Sequence, residues 1–331
     1  MADSNEWNAA RLLGLSGSYW QAFALQAGVK MDLFTRIGDD EVRAEEAAQR
    51  LKSDRRGITM LLNALVAMGI VIKNGDRYAN TSASKSLLVK KSPHYIGYII
   101  MHHHHLVKAW SRLDQAVKSG KPVGKRASYS KKERESFLMG MFNLATAIAP
   151  HLVKEVDLRA KSPLLDLGGG PGTYAIHFCL ANPGLKATVY DLPTTRPFAE
   201  KVIAQFGLSD RIDFVPGNYL EDEIKGVYEV AWLSQILHGE GPEACQMIIE
   251  KAAAAVKKGG VLLVHEFLLN TTRDAPLFPA LFSLNMLVNT DTGQSYSEDE
   301  IREMLTRAGL RNIERLPFTG PNESGILAAL K

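Results

Sequence analysis

Cysteine is nearly absent from this chain, with two in 331 residues, and no apolar run comes near the roughly 18 residues that a membrane span requires. Cys179 and Cys245 both fall in helical patterns, where they read as small packed hydrophobes rather than as a disulfide or a metal pair. The first residues are polar and lack the basic-then-apolar order of a secretory signal. Together these absences predict a cytoplasmic protein in a reducing compartment, with no membrane insertion. Charge of one sign is scarce too: the net charge of +3 is too small to argue for nucleic acid. The exception is segment 118–134, where Lys and Arg accumulate against a single acid, and a solvated linker is its expected role. Internal repeats and low-complexity tracts are missing as well, which excludes repeat architectures. What remains, 46% hydrophobic and 23% charged residues, is a globular chain of about two domains.

The most informative presence is the run Leu164-Leu165-Asp166-Leu167-Gly168-Gly169-Gly170-Pro171-Gly172, which sets an acid and a glycine-dense turn between an apolar strand and a helix. Gly168, Gly170 and Gly172 allow close approach of a ligand to the backbone. Asp191, closing the next strand Val189-Tyr190-Asp191, can accept two ribose hydroxyls. A nucleoside-containing cofactor follows. The stretch from Gly170 to Ala175 also fits the loose dinucleotide fingerprint, so a nicotinamide dehydrogenase is an alternative. Asp166 speaks against it, because its charge opposes a pyrophosphate at the helix N-terminus but attracts a cation. S-adenosylmethionine carries an ammonium and a sulfonium. Its ribose suits Asp191, and its adenine suits Leu192 with the turn Pro216-Gly217-Asn218-Tyr219.

Upstream, residues 10–36 carry apolar side chains at helical spacing. Segment 44–51, a helix over 53–68 with Ser53 as its N-cap, and the hairpin turn Lys73-Asn74-Gly75-Asp76 follow. This is a winged-helix pattern. Its second helix offers mainly Leu, Ala, Met and Ile after the first turn, which favours protein packing over DNA reading. A helix is expected over 101–117. From 163 onward apolar strands at 163–167, 186–191, 211–215, 227–234, 260–267, 312–317 and 325–330 alternate with helices. The predicted fold is α/β, a doubly wound, mainly parallel Rossmann-like sheet behind an N-terminal α-helical winged-helix domain. The expected division is 1–95 for dimerisation, 96–150 as a helical linker bordering an acceptor pocket, and 151–331 for cofactor binding and catalysis.

The strand at 227–234 runs directly into Gln235-Ile236-Leu237-His238, so His238 falls at a strand's carboxyl end. There it can take a proton from a phenol near neutral pH, or simply cap the following helix. The tetrad His102-His103-His104-His105 invites a metal reading, but successive helical residues point about 100° apart, so the rings diverge. No metal is expected.

These pieces resemble the dimeric S-adenosylmethionine-dependent O-methyltransferases of small aromatic acceptors, the family of the plant caffeate and bacterial polyketide and hydroxyneurosporene enzymes. The resemblance spans nearly the whole chain. It rests on Gly17-Ser18-Tyr19-Trp20, the winged helix, the spaced Trp110, Leu113, Ala116 and Gly120-Lys121-Pro122, and Phe137 with Met141. The glycine turn, Tyr190-Asp191-Leu192-Pro193 and Ile236-Leu237-His238 complete it. It implies cofactor binding by Asp166, Gly168, Gly170, Gly172, Asp191, Leu192, Asn218, Tyr219, Ser234 and Gln235. His238 would be the general base, Asp274 would orient it, and Met141, Tyr19 and His105 would meet the acceptor. The chain departs from the family at Gly239 and Asn218, each in place of an aspartate, and in Thr292-Gly293-Gln294-Ser295-Tyr296-Ser297, which lacks a glutamate. A less well oriented His238 is the expected consequence. C-methylation, or cofactor binding without methyl transfer, is the alternative on the same fold.

Overall fold

The computed structural model describes residues 6–124 and 130–331; parts of the polar start and of the basic segment 118–134 lie outside the described residues. The chain divides into two compact units, Met1–His105 and Leu106–Lys331.

The first unit runs α1 (Ala9–Gly17), α2 (Tyr19–Lys30), α3 (Leu33–Ile37), β1 (Val42–Arg43), α4 (Ala44–Leu51), α5 (Arg55–Ala67), β2 (Val71–Asn74), β3 (Arg77–Asn80), α6 (Ser82–Leu88) and the start of α7 (Gly97–Trp110). β2 and β3 form the expected hairpin, with Asn74 opposite Arg77 and Gly75 at φ +60°, and β1 adds to β3 as a third strand. The N-cap of α5 is Asp54, not Ser53. The Asp54 carboxylate accepts the Gly57 N–H at 2.8 Å, whereas the Ser53 hydroxyl turns back to the Leu51 carbonyl. Leu33, Phe34, Ile37, Ile58, Leu62, Leu65, Val71 and Tyr78 form the core of this winged helix. By contrast α1 buries none of its residues, and Leu12, Leu13, Leu15, Tyr19 and Trp20 are all more than half exposed.

The second unit continues through α8 (Leu113–Ser119) and α9 (Lys131–Leu152), with Arg112 at φ −121° breaking the single helix expected over 101–117. Then follow β4 (Leu164–Leu167), α10 (Thr173–Ala181), β5 (Ala187–Asp191), α11 (Arg196–Gln205), β6 (Ile212–Pro216), β7 (Tyr228–Ser234), α12 (Pro242–Ala255), β8 (Val256–Leu269), α13 (Leu277–Asn289), β9 (Tyr296–Ser297), α14 (Glu298–Arg307), β10 (Arg311–Thr319) and β11 (Ser324–Leu330). The sheet order is β6-β5-β4-β7-β8-β11-β10, parallel from β6 to β8 and antiparallel beyond, with β9 beside the end of β8.

Both faces of the parallel strands are covered, which is why they read as continuous apolar runs rather than alternating ones. Leu164, Trp232 and Leu263 pack against α10 residues such as Phe178 on one face, while Leu165, Leu167 and Leu233 meet Ile248 and Ile249 of α12 on the other. Each such fully buried side chain contributes about 1.5–3 kcal/mol. Cys179 and Cys245 are free and buried. Among the described residues no helix is long and apolar enough to cross a membrane.

Candidate active site

β4 is the topological switch: the chain proceeds from it to β5 on one side and, later, to β7 on the other, which opens a crevice beyond the strands' carboxyl ends. The glycine turn occupies that crevice. Gly168, Gly170 and Gly172 hold φ of +66°, +56° and +78°, conformations that favour glycine. A Cβ on Gly168 would lie 2.6 Å from Ile236 and 3.4 Å from the Tyr219 ring, so the turn is wedged between those side chains. A Cβ on Gly170 would meet nothing within 4 Å, which marks the open face of the turn.

Two carboxylates support this turn, Asp191 half-buried and Asp166 fully buried. Asp191 accepts the Gly170 N–H at 2.8 Å on one oxygen, and the Leu192 N–H (2.7 Å) and Thr195 hydroxyl (2.8 Å) on the other. Burial raises its pKa despite those bonds. Asp166 lies beneath Gly169 and is 1% exposed. Among the described residues, one of its oxygens accepts the Ala175 N–H at 3.2 Å and the other has no partner. Burial, with a further push from Asp191, moves its pKa up to about 7.

Around the turn, Leu192 is 48% exposed, a flat apolar surface at the end of β5. Asn218 holds its own loop, its side-chain oxygen accepting the Leu220 N–H at 3.1 Å. The Ser234 hydroxyl pairs with His265 Nδ1 at 2.9 Å. Gln235 adopts φ +58°, and its buried side-chain oxygen has no partner among the described residues. An open glycine face, an exposed apolar ledge and two buried acceptors without donors suit a nucleoside ligand that brings hydrogen-bond donors and positive charge.

His238 lies in the short turn after β7, on the same side of the sheet's edge. Its Nδ1 is 2.8 Å from Glu266 of β8, and the second Glu266 oxygen accepts the Leu237 N–H at 2.9 Å. Both side chains are buried. An ionised carboxylate only accepts, so Nδ1 carries the proton and Nε2 keeps the lone pair. Phe267 stacks on the imidazole with ring centroids 6.1 Å apart, Phe282 meets it edge-on at 4.8 Å, and Phe278 packs against both.

The carboxylate in contact with the His238 imidazole is thus Glu266, and Asp274 is turned to other partners. Asp274 is exposed and closes its own turn, accepting from the Thr272 hydroxyl (2.6 Å) and the Asn270 amide (2.9 Å), which also lower its pKa. The expectation of a poorly held His238 is corrected by the same contact. An acid next to a histidine inside the otherwise apolar run Val261 to Leu269 was the signal available in the sequence.

Of the acceptor candidates, Met141 is half-buried on α9 in the second unit, which also holds His238. Tyr19 and His105 belong to the first unit: Tyr19 is exposed and meets Trp20 and Phe23 edge-on, while His105 is half-buried with its ring 6.0 Å from that of His104. Within the tetrad, His104 is bound through both nitrogens, to Lys30 at 2.9 Å and Gln26 at 3.2 Å. No group of three or more His, Cys, Asp or Glu able to hold a metal occurs among the described residues.

Comparison with known proteins agrees with this geometry. Residues 110–311 match the O-methyltransferase domain and residues 13–90 the O-methyltransferase dimerisation domain. The chain is 31% identical to the 3-hydroxy-5-methyl-1-naphthoate 3-O-methyltransferase of Streptomyces sahachiroi, over 97% of this chain and 94% of that one. The S-adenosyl-L-methionine-dependent methyl transferase PigF of Serratia sp. (strain ATCC 39006) is 27% identical over 92% of this chain and 91% of its own length. The solved structure of PigF with SAH superposes with a TM-score of 0.90 at 26% identity, covering 98% and 100% of the two chains. Human N-acetylserotonin methyltransferase, solved with SAM, gives a TM-score of 0.87 at 26% identity over 99% of both chains. The chain is an enzyme of the S-adenosylmethionine-dependent O-methyltransferase family.

Proposed function

We propose that this chain methylates a hydroxyl on a small aromatic acceptor, with His238 Nε2 as general base and Glu266 as its positioning residue. The observation that carries this reading is the buried 2.8 Å contact between His238 Nδ1 and Glu266. When bound, S-adenosylmethionine supplies an electrophilic methyl carbon. A phenol is a far weaker acid than an imidazolium, so proton transfer to His238 is uphill. Glu266 stabilises the imidazolium as it forms and holds the ring in the tautomer that can accept. Phe267, Phe278 and Phe282 keep water from the imidazole and offer flat apolar contact to a ring. Met141 completes the acceptor contacts.

On the cofactor side, Asp191 takes the ribose, Leu192, Asn218 and Tyr219 take the adenine, and Gly168, Gly170, Ser234 and Gln235 receive the methionine moiety. The relative from Streptomyces sahachiroi is named for a hydroxynaphthoate hydroxyl, which supports a fused phenolic acceptor here. The enzyme works as a homodimer, a reading supported by the dimerisation-domain match and the exposed Leu13, Tyr19 and Trp20. A cytoplasmic setting accords with two free, buried thiols.

A panel of phenols and hydroxynaphthoates, incubated with methyl-labelled cofactor, tests the acceptor class. Label on the hydroxyl oxygen is expected, located by NMR of the product. Label found only on ring carbon would move the assignment to C-methylation.

A further inference from the structure

We infer that Asp166 holds a proton in the ligand-free enzyme and surrenders it when the ammonium of the cofactor's methionine moiety arrives, so that cofactor binding is coupled to proton release. The inference rests on the cofactor reading above and deepens it. Asp166 is 1% exposed and packed directly against the turn, where a Cβ on Gly169 would lie 2.6 Å from its carboxyl carbon. Among the described residues it accepts one hydrogen bond, the 3.2 Å one from Ala175, and its other oxygen has no partner. An ionised carboxylate in that state is strongly disfavoured, whereas a protonated one is a tolerable buried neutral group.

Among the described residues no cation pairs with it from the surrounding elements. β5 contributes the second acid, Asp191, which ties to the same turn through Gly170. From α10 come the Tyr174 hydroxyl and the Cys179 thiol, both raised by burial and therefore neutral. β7 contributes Trp232 and Ser234, and β8 contributes His265, whose complete burial lowers its pKa to about 4 and leaves it uncharged. The same burial pushes the Asp166 carboxyl up to about 7, with Asp191 adding to the shift.

A group that ionises this carboxyl must bring both positive charge and donors for the orphaned oxygen. An ammonium has three N–H donors and a sulfonium has none, which assigns the role to the amino group. S-adenosylmethionine and S-adenosylhomocysteine share that ammonium, and methylthioadenosine lacks it. The proton moves from the Asp166 carboxyl to solvent, and the carboxylate then pairs with the ammonium.

The test is calorimetric titration of the full-length wild-type enzyme with S-adenosylhomocysteine in buffers of different ionisation enthalpy. Release of about one proton is expected at pH 6 and about half a proton at pH 7, with affinity rising toward tenfold per pH unit below pH 7. The ligand's α-ammonium, beside its own carboxylate, stays protonated across this window and adds no proton of its own. Methylthioadenosine should bind without release. In difference infrared spectra S-adenosylhomocysteine should remove a protonated-carboxyl band from the wild type, a band missing from Asp166→Asn. Binding with no buffer-dependent heat and no lost band overturns the inference while the cofactor reading stands. Equal release by methylthioadenosine overturns the assignment to the ammonium. Absence of S-adenosylhomocysteine binding overturns the cofactor reading itself, and the inference with it.

Discussion

Glu266→Gln isolates the charge that positions the base. The side chain keeps its size, so the packing of Phe267 and Phe282 around His238 is preserved, but two contacts change. The amide still has one oxygen to accept the Leu237 N–H, now at 2.9 Å from Glu266, and its nitrogen then faces His238 Nδ1 as a donor. That favours the tautomer with the proton on Nε2, the wrong nitrogen for a base. It also removes a charge-assisted hydrogen bond to the imidazolium, worth about 1.5–3 kcal/mol, or roughly 10- to 150-fold in rate. The fall should appear in kcat for the methyl acceptor. Affinity for S-adenosylhomocysteine should stay near wild type, because Glu266 points to the opposite face of β8 from His265, which contacts Ser234. Steady-state kinetics with both substrates varied, together with calorimetry, separates the two. Asp274→Asn serves as the control, with kcat expected within about twofold of wild type, since a surface substitution outside the site is usually worth within about 0.5 kcal/mol. A Glu266→Gln enzyme with wild-type kcat, or an Asp274→Asn enzyme with the larger loss, would refute the assignment of Glu266.

Other consequences follow from the same structure. Gly170→Ala places a methyl on the open face of the turn at φ +56°, so backbone strain of about 1–2 kcal/mol should lower the melting temperature modestly. Its affinity for S-adenosylhomocysteine should drop more than about tenfold, and unchanged affinity would remove the turn from the cofactor site. Asp166 binds its proton more tightly folded than unfolded, so stability of the ligand-free enzyme should fall as pH rises from the unfolded carboxyl pKa toward about 7 and level off above it. Asp166→Asn should flatten that decline by as much as about 1.4 kcal/mol per pH unit in urea titrations, and an unchanged slope would assign the proton elsewhere. Paired Leu13→Glu and Trp20→Glu changes charge the most exposed apolar residues of α1 and α2, 73% and 70% accessible. Sedimentation should show them shifting a dimer to monomers, and a dimer that survives both would locate its interface elsewhere.

Much of this was legible because the parallel strands are buried on both faces. That burial forces uninterrupted apolar runs, and it made β4, β5 and β7 readable to within one residue at either end. The glycine turn was legible because three positive φ angles leave few other residue types possible. Asp191 and His238 could be placed at strand ends from the sequence because Asp191 closes β5 and His238 follows shortly after β7. Glu266 was not, because its partner lies 28 residues earlier in the chain and only the β7–β8 pairing brings them together. Asp274 was chosen by position in a family pattern, whereas local hydrogen bonding within Asn270–Asp274 decides where its carboxylate goes. The Ser53 N-cap failed for a smaller reason of the same kind, since Ser53 and Asp54 are adjacent capping residues and only backbone geometry separates them.

The most direct measurement is single-turnover methyl transfer to a phenolic acceptor by wild type and by His238→Asn, each loaded with S-adenosylmethionine and followed across pH. With His238 Nε2 as the base, the variant should lose about 10²- to 10⁴-fold in rate while still binding S-adenosylhomocysteine, and its residual rate should climb with pH as the acceptor ionises unaided. A His238→Asn enzyme that transfers methyl at the wild-type rate and with the wild-type pH profile would contradict the account.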